Sequence, residues 1–233
     1  MFTLEEINNE KENYVAYSSN LIPDIMDVKY DLNGDTNGRI NSSEIQNKDI
    51  ILHLNKAISK YHIKYQTSIL WHEFTHIYDE LNCKYQDNLK KSYMKTLSEM
   101  KATSFEHRYL LSLKKYENVL YDTKTKIHFM NYHKDFESIL DFYNKSSQMY
   151  FTKLANTKSP KDFDSAFNSF MYLCGATRIT RHSPEYIKNM LKQYPNDFSI
   201  MLAAIVDLIY ENNEIAICEA YETFQRVVAE SHI

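Results

Sequence analysis

The stretch Ile69-Leu70-Trp71-His72-Glu73-Phe74-Thr75-His76-Ile77-Tyr78-Asp79 contains the pattern His-Glu-x-x-His. Residues four positions apart in an α-helix lie one turn apart on the same face, so His72 and His76 can present their imidazoles to one metal ion. Glu73 lies about 100° around the helix and can reach a water molecule beside that ion. The pattern predicts a zinc site in which two histidines bind the metal and the glutamate moves a proton.

The sequence around this motif is typical of a buried helix. Apolar residues recur at helical spacing, and neither Gly nor Pro occurs between residues 61 and 85. Trp71 fits the core of such a helix better than a substrate contact. We therefore expect the motif to lie on a long helix that is mostly covered.

The composition favours helices. The chain has 233 residues, enough for one sizeable core or a core with an appendage. Only 3 Gly and 4 Pro are present, so few tight turns are available and long helices with short connections are expected. The net charge is −4 with scattered Lys and Arg, which predicts no nucleic-acid partner.

The cysteines and the N-terminus favour the cytoplasm. Cys83, Cys174 and Cys218 are odd in number and lack Cys-x-x-Cys spacing, so we expect thiols in a reducing compartment. The first residues are polar and acidic, unlike a signal peptide. The longest apolar run, residues 200–206, is too short to span a membrane, and no membrane partner is predicted.

The predicted fold class is α+β and mostly helical, with a small antiparallel sheet before the motif helix. Thr3-x-x-Glu6 is a capping box that should begin a helix ending near Ser18. Residues 27–32 alternate and read as a strand, the Asn-Gly pairs at 33–34 and 37–38 favour a turn, and a return strand should begin at Arg39. Residues 50–54 read as a further strand.

The same turn also fits a calcium-binding loop. Asn33, Asp35, Asn37 and Glu44 occupy ligand positions of the 12-residue pattern, with Gly38 at its sixth position. Position 1 is Asn where Asp is usual, and the flanking residues read as strands rather than helices. We therefore predict a plain hairpin loop without calcium.

The rest of the chain reads as helices. We expect them at residues 87–121, 129–156, 161–174 (ended by Gly175), 184–194, 196–211 and a last one ending near 230. We predict a metallopeptidase core at residues 1–125 and a helical C-terminal region at residues 126–233.

A catalytic zinc site usually has three protein ligands and a water, so a third ligand must come from elsewhere. Glu99 is the first choice, because it lies on the next long helix, which can fold back on the motif helix. Ala102, one turn on, would allow a close approach. Glu106 is the best substitute ligand, and Asp79 and Glu106 are both candidates to support the ligands through hydrogen bonds.

The segment Ser98-Glu99-Met100-Lys101-Ala102-Thr103-Ser104-Phe105, together with His72-Glu73-x-x-His76, resembles the gluzincin metallopeptidases. It is most similar to the small phage and mobile-element group that includes the ImmA/IrrE-type peptidases. Those enzymes carry His-Glu-x-x-His on one helix and Glu-x-x-Ala-Asn/Asp-x-Phe on the next, after a small sheet. The resemblance covers about residues 25–110.

The resemblance implies zinc ligands at His72, His76 and Glu99 and a general base at Glu73. Thr103 stands where the family usually has Asn or Asp, so a supporting hydrogen bond from that position is not implied here. Further candidates to donate a hydrogen bond in the transition state are His107, His128, His133, His182, Tyr93 and Tyr109.

Three functions are consistent with the residues. The first is a zinc metallopeptidase, an endopeptidase acting on a protein or peptide substrate with Zn²⁺ as its cofactor. The second is a helical protein-binding module with a structural or vestigial zinc site, which would have no need of Glu73. The third is a calcium-regulated binding protein built on residues 33–44.

Overall fold

The computed structural model of the protein describes residues 1–34, 37–60, 63–112, 118–120, 128–130, 136–179 and 182–230. In these ranges the helices are α1 (Leu4–Ser18), α2 (Ser42–Gln46), α3 (Ile63–Asn82), α4 (Asp87–Tyr93), α5 (Glu99–Ser112), α6 (Phe136–Thr157), α7 (Pro160–Ile179), α8 (Pro184–Leu191), α9 (Asn196–Tyr210) and α10 (Glu214–Glu230). The strands are β1 (Asp27–Leu32), β2 (Gly38–Arg39), β3 (Ile51–Asn55), β4 (Asn118–Leu120) and β5 (His128–Met130). The predicted class, α+β and mostly helical, is confirmed.

The main sheet is mixed rather than antiparallel, with strand order β1-β3-β2. Strand β3 pairs in parallel with β1 and antiparallel with β2, so the predicted hairpin between β1 and β2 is wrong. The physical reason is burial. Leu52 and Leu54 on one face of β3 and His53 on the other are almost completely buried, and a strand covered on both faces belongs in the middle of a sheet. The two-residue β2 has little to pair with and lies at the edge.

The chain divides into two compact units. Residues 1–83 and 105–136 form the first, and residues 84–104 and 137–233 form the second. Helix α5 contributes its first residues to the second unit and its residues from Phe105 onward to the first. The boundary predicted near residue 125 falls outside the described residues.

The first unit is organised by packing of α1 on the motif helix α3. Helix α1 begins as predicted, with Thr3 and Glu6 forming the capping box. The fully buried ring of Tyr14 packs edge-on against Trp71, and its hydroxyl lies 3.2 Å from that of Thr75. The Trp71 indole N–H donates to Glu10 across 2.7 Å. Trp71 is therefore a core residue, as expected.

The second unit has an aromatic core between α7 and α10. The rings of Phe163 and Phe167 pack on Tyr221, and the Tyr221 hydroxyl donates to Asp164 across 2.7 Å. Helix α4 is joined to α10 by the Ser92 hydroxyl, which donates to a carboxylate across 2.8 Å. These contacts make residues 84–104 part of this unit.

Gly175 does not end α7, contrary to the prediction, since the helix continues to Ile179. A Cβ at Gly175 would lie 2.5 Å from the Met100 carbonyl oxygen and 2.9 Å from Cβ of Thr103. The Ser104 hydroxyl also donates to the Gly175 carbonyl across 2.9 Å. The glycine thus permits a close helix crossing, a use that the sequence does not distinguish from a helix end.

Two predicted helices are also shorter than expected. The predicted helix 87–121 is interrupted by a π-helical turn at Met94–Ser98, and strand β4 follows it. The predicted helix from 129 begins only at Phe136, because residues 128–130 pair with β4 as strand β5. Such pairing depends on contacts between distant residues, which local helical periodicity cannot reveal. None of the helices in the described ranges has the length and apolar character needed to cross a membrane.

Candidate metal centre

Helix α3 positions the two motif histidines. Leu70, Phe74 and Ile77 are almost completely buried and fix which side of the helix faces the core. His72 and His76 lie one turn apart on a partly exposed side of the same helix. Their Nε2 atoms face each other at 3.1 Å. Tetrahedral zinc with Zn–N bonds of 2.0–2.1 Å would hold two nitrogens about 3.3 Å apart, so this spacing suits the metal.

Glu106 lies against the other ring nitrogen of His72. Its Oε2 is 3.2 Å from Nδ1, and both side chains are largely buried, at 14% and 11% exposed. A carboxylate there accepts the Nδ1–H bond, which leaves the lone pair on Nε2. Glu106 thus contacts the His72 nitrogen that does not face His76. Of the two roles considered for Glu106, a metal ligand or a support for one, this contact corresponds to a support.

Glu99 is the first residue of α5, directly after the π-helical turn. His72, His76 and Glu99 each offer one ligand atom, and these atoms all lie within 4.8 Å of one another. Two imidazole nitrogens and one carboxylate oxygen form a donor set that zinc accepts. All three residues are partly exposed, so a fourth position can remain open for water or substrate. The residues present therefore fit a zinc ion.

Glu73 is buried, with 5% of its surface exposed, on the same helix as the two histidines. Its side chain lies against the backbone of Gly38 in the edge strand β2. A Cβ added at Gly38 would come 2.6 Å from Cδ and 2.7 Å from Cγ of Glu73. The absence of a side chain at Gly38 thus makes the space that Glu73 occupies.

Asp79 is buried one turn beyond His76 on α3. Burial raises the pKa of the nearby Tyr14 hydroxyl, hydrogen bonds with Asn20 and Thr75 oppose that shift, and the charge of Asp79 adds to it. Asp79 is therefore close enough to Tyr14 to act on it electrostatically. Its predicted support of the metal ligands stays a prediction.

The other predicted donors have varied surroundings. His107 is fully buried beside Glu106, and burial lowers the pKa of its imidazole to about 4 despite that carboxylate. The Tyr109 ring packs on Trp71 at 4.8 Å. Burial raises the pKa of the Tyr109 hydroxyl to about 12, although a hydrogen bond with Thr67 acts to lower it. These two side chains belong to the core of the first unit.

The remaining donor candidates lie in the second unit or outside the description. Tyr93 bonds with Lys101, and the ring of His182 packs against Tyr186 at 3.9 Å. His133 and the side chain of His128 lie outside what the structure describes. The hydroxyl oxygen of Thr103 is buried and has no hydrogen-bond partner within the described ranges.

The predicted hairpin loop at residues 33–44 contains two residues outside the description, Asp35 and Thr36. Glu44 is held in α2, where its carboxylate accepts from the Asn41 amide across 2.9 Å and lies 3.4 Å from Nε2 of His53. Burial would raise the pKa of Glu44, but these hydrogen bonds outweigh it and lower the pKa. Asp31 contacts the other nitrogen of His53 at 2.9 Å, and this bond lowers the pKa of Asp31.

Gly38 is the residue at this site that the sequence reading missed. The Asn37-Gly38 pair predicts a turn, yet only Gly34 among the described glycines has a positive φ, at 79°. The available signal was the scarcity of glycine: the chain has only 3, so each is expected to have a specific structural reason.

No protein-family model, curated protein or solved structure matches the chain.

Proposed function

We propose that the protein is a zinc-dependent metallopeptidase that hydrolyses peptide bonds within a protein or peptide substrate, with Glu73 as general base. The proposal rests on one observation: the ligand atoms of His72, His76 and Glu99 lie within 4.8 Å of one another, while Glu73 is buried on the helix that carries both histidines. A purely structural zinc site has no use for that fourth residue.

A zinc ion held by His72, His76 and Glu99 would polarise a substrate carbonyl and lower the pKa of a water molecule. The two histidines come from one rigid helix, so their separation is fixed before any metal binds. Glu106 accepts the Nδ1–H bond of His72 and thereby directs the Nε2 lone pair toward the ligand group.

Glu73 moves the proton. Its carboxylate takes a proton from the attacking water as the new carbon–oxygen bond forms. It returns that proton to the amide nitrogen as the carbon–nitrogen bond breaks, so a free amine leaves. Burial of Glu73 among the surrounding residues limits the positions its carboxylate can take, which favours transfer along one path. We place this activity in a reducing compartment such as the cytoplasm, in keeping with the free thiols of Cys83, Cys174 and Cys218.

Glu73→Gln tests the proposal, because it keeps the shape of the side chain and removes the base. Glu80→Gln is the matched control, since Glu80 is also 5% exposed on α3 and has no role in the proposed reaction. Both variants and the wild type are loaded with zinc and incubated with a proteome-derived peptide library, and new termini are identified by mass spectrometry.

We expect Glu73→Gln to bind zinc as the wild type does and to cleave at least about 10²-fold more slowly, since a positioned base contributes about 10²–10⁴-fold. Glu80→Gln should cleave normally. Equal cleavage by Glu73→Gln would overturn the assigned base. If neither the wild type nor either variant produces new termini while all bind zinc and the same host proteins, a protein-binding module is the better description.

A further inference from the structure

The second unit contains a cavity of about 220 Å³ between α7, α8 and α9. Its inner wall is formed by Cys174, Ile187, Val206 and Ile209, each 7% exposed or less. Burial raises the pKa of the Cys174 thiol, so this wall carries no charge at neutral pH. The inner part of the cavity therefore suits an apolar group.

The mouth of the cavity is polar. Arg178, in the last turn of α7, donates from Nη2 to Oδ1 of Asn212 across 3.3 Å. A guanidinium has five N–H donors, and within the described ranges Arg178 makes no ion pair. Tyr210 completes this rim, and its pKa, raised by burial, is also affected by the charges of Arg178 and Glu185.

A cationic rim above an apolar wall is the arrangement that holds an amphipathic anion. A cavity of about 150 Å³ accepts benzene, which has six non-hydrogen atoms, so 220 Å³ corresponds to about nine. We propose that this cavity binds a small carboxylate with an apolar tail, about the size of heptanoate or octanoate, with the carboxylate on Arg178. The proposal is independent of the peptidase activity.

A series of straight-chain carboxylates from butanoate to decanoate tests the apolar wall by isothermal titration calorimetry on the whole protein. Each added methylene buried in the cavity should improve affinity about fourfold. The improvement should stop near seven or eight carbons, when the cavity is full. Affinity that is independent of chain length, or absence of binding throughout the series, would overturn the proposal.

The rim is tested with two exposed residues, which can be changed without disturbing the core. Arg178→Gln should weaken octanoate binding by about tenfold or more, because a hydrogen bond to a charged group is lost, and should leave 1-octanol binding unchanged. Glu185→Gln is the control because it removes a charge of the opposite sign near the same rim, and it should bind octanoate at least as well as the wild type. Equal octanoate affinity in Arg178→Gln and the wild type would overturn the proposed anion site.

The location is tested by filling the cavity. Ile209→Phe should abolish octanoate binding while the unfolding transition in urea stays cooperative, and Val206→Leu is a milder filling variant if the first does not fold. Normal octanoate binding in a folded filling variant would show that the ligand lies elsewhere and would overturn the proposal.

Discussion

Substitution of Gly38 by alanine is the sharpest test of how the fold positions Glu73. The added Cβ would lie 2.6 Å from Cδ of Glu73, about 0.8 Å short of ordinary van der Waals contact. Gly38 itself has no positive φ, so alanine introduces no backbone strain and the clash must be relieved by movement of the Glu73 side chain. The carboxylate should shift by close to 1 Å.

A misplacement of 1 Å at a reacting group can cost about 10²-fold in rate, equivalent to about 2.7 kcal/mol of barrier. We therefore expect Gly38→Ala to lower kcat by about that factor. Zinc affinity should stay near the wild-type value, since His72, His76 and Glu99 are untouched. Zinc affinity is measured by competition with a chromophoric chelator. The value of kcat is measured with a substrate peptide that the wild type cleaves in the proteome-derived library.

Gly34→Ala is the matched control for Gly38→Ala. Gly34 lies four residues before Gly38, and a Cβ there would meet nothing within 4 Å, although its φ of 79° makes alanine strained. Gly34→Ala should therefore lose about 1 kcal/mol of folding stability and keep its kcat. If Gly38→Ala cleaves at the wild-type rate, Glu73 does not act from the position beside β2, and the reasoning is refuted.

Three further changes give distinct outcomes. Glu106→Ala should reduce zinc affinity by about 10–100-fold, and Glu99→Ala should reduce it further in the same chelator competition. A larger loss in Glu106→Ala than in Glu99→Ala would make Glu106 the metal ligand instead of Glu99. Gly175→Ala should destabilise the protein by about 1–3 kcal/mol in urea denaturation, because a rigid carbonyl oxygen lies 2.5 Å from the added Cβ; an unchanged midpoint would contradict the tight crossing. Asp31→Asn should destabilise the protein at pH 7, because the bond with His53 lowers the pKa of Asp31 in the folded state. In thermal unfolding, the stability difference between variant and wild type should disappear as the pH falls from the unfolded-state pKa of about 3.9 through the lowered pKa of the folded state. A stability difference that grows on acidification would contradict this prediction.

The motif helix could be predicted from the sequence because local and tertiary requirements agree there. Its apolar residues recur at helical spacing, no helix breaker occurs, and α3 accordingly runs from Ile63 to Asn82. Helix α1 was predictable for a similar reason, since the Thr3 and Glu6 side chains bond within four residues of sequence. The nearness of Glu99 to the histidines was predicted from the helical pattern together with the resemblance, and the structure brings the three together.

Features that depend on distant contacts could not be predicted in this way. The position of β3 between β1 and β2 is decided by burial on both faces, which the local sequence of this five-residue strand does not reveal. Gly38 and Gly175 look like turn and helix-end residues locally. Each is required instead by an atom far away in sequence, the carboxyl group of Glu73 in one case and the carbonyl of Met100 in the other.

The most direct test of the central claim is anomalous diffraction from crystals of the wild-type protein, with data collected on both sides of the zinc absorption edge. We expect one strong zinc-specific peak per chain, about 2.0–2.2 Å from Nε2 of His72, Nε2 of His76 and a carboxylate oxygen of Glu99. Glu73 should lie near the peak without binding it. A zinc peak coordinated by other residues, or none at these three in crystals grown with excess zinc, would contradict the proposed metal centre.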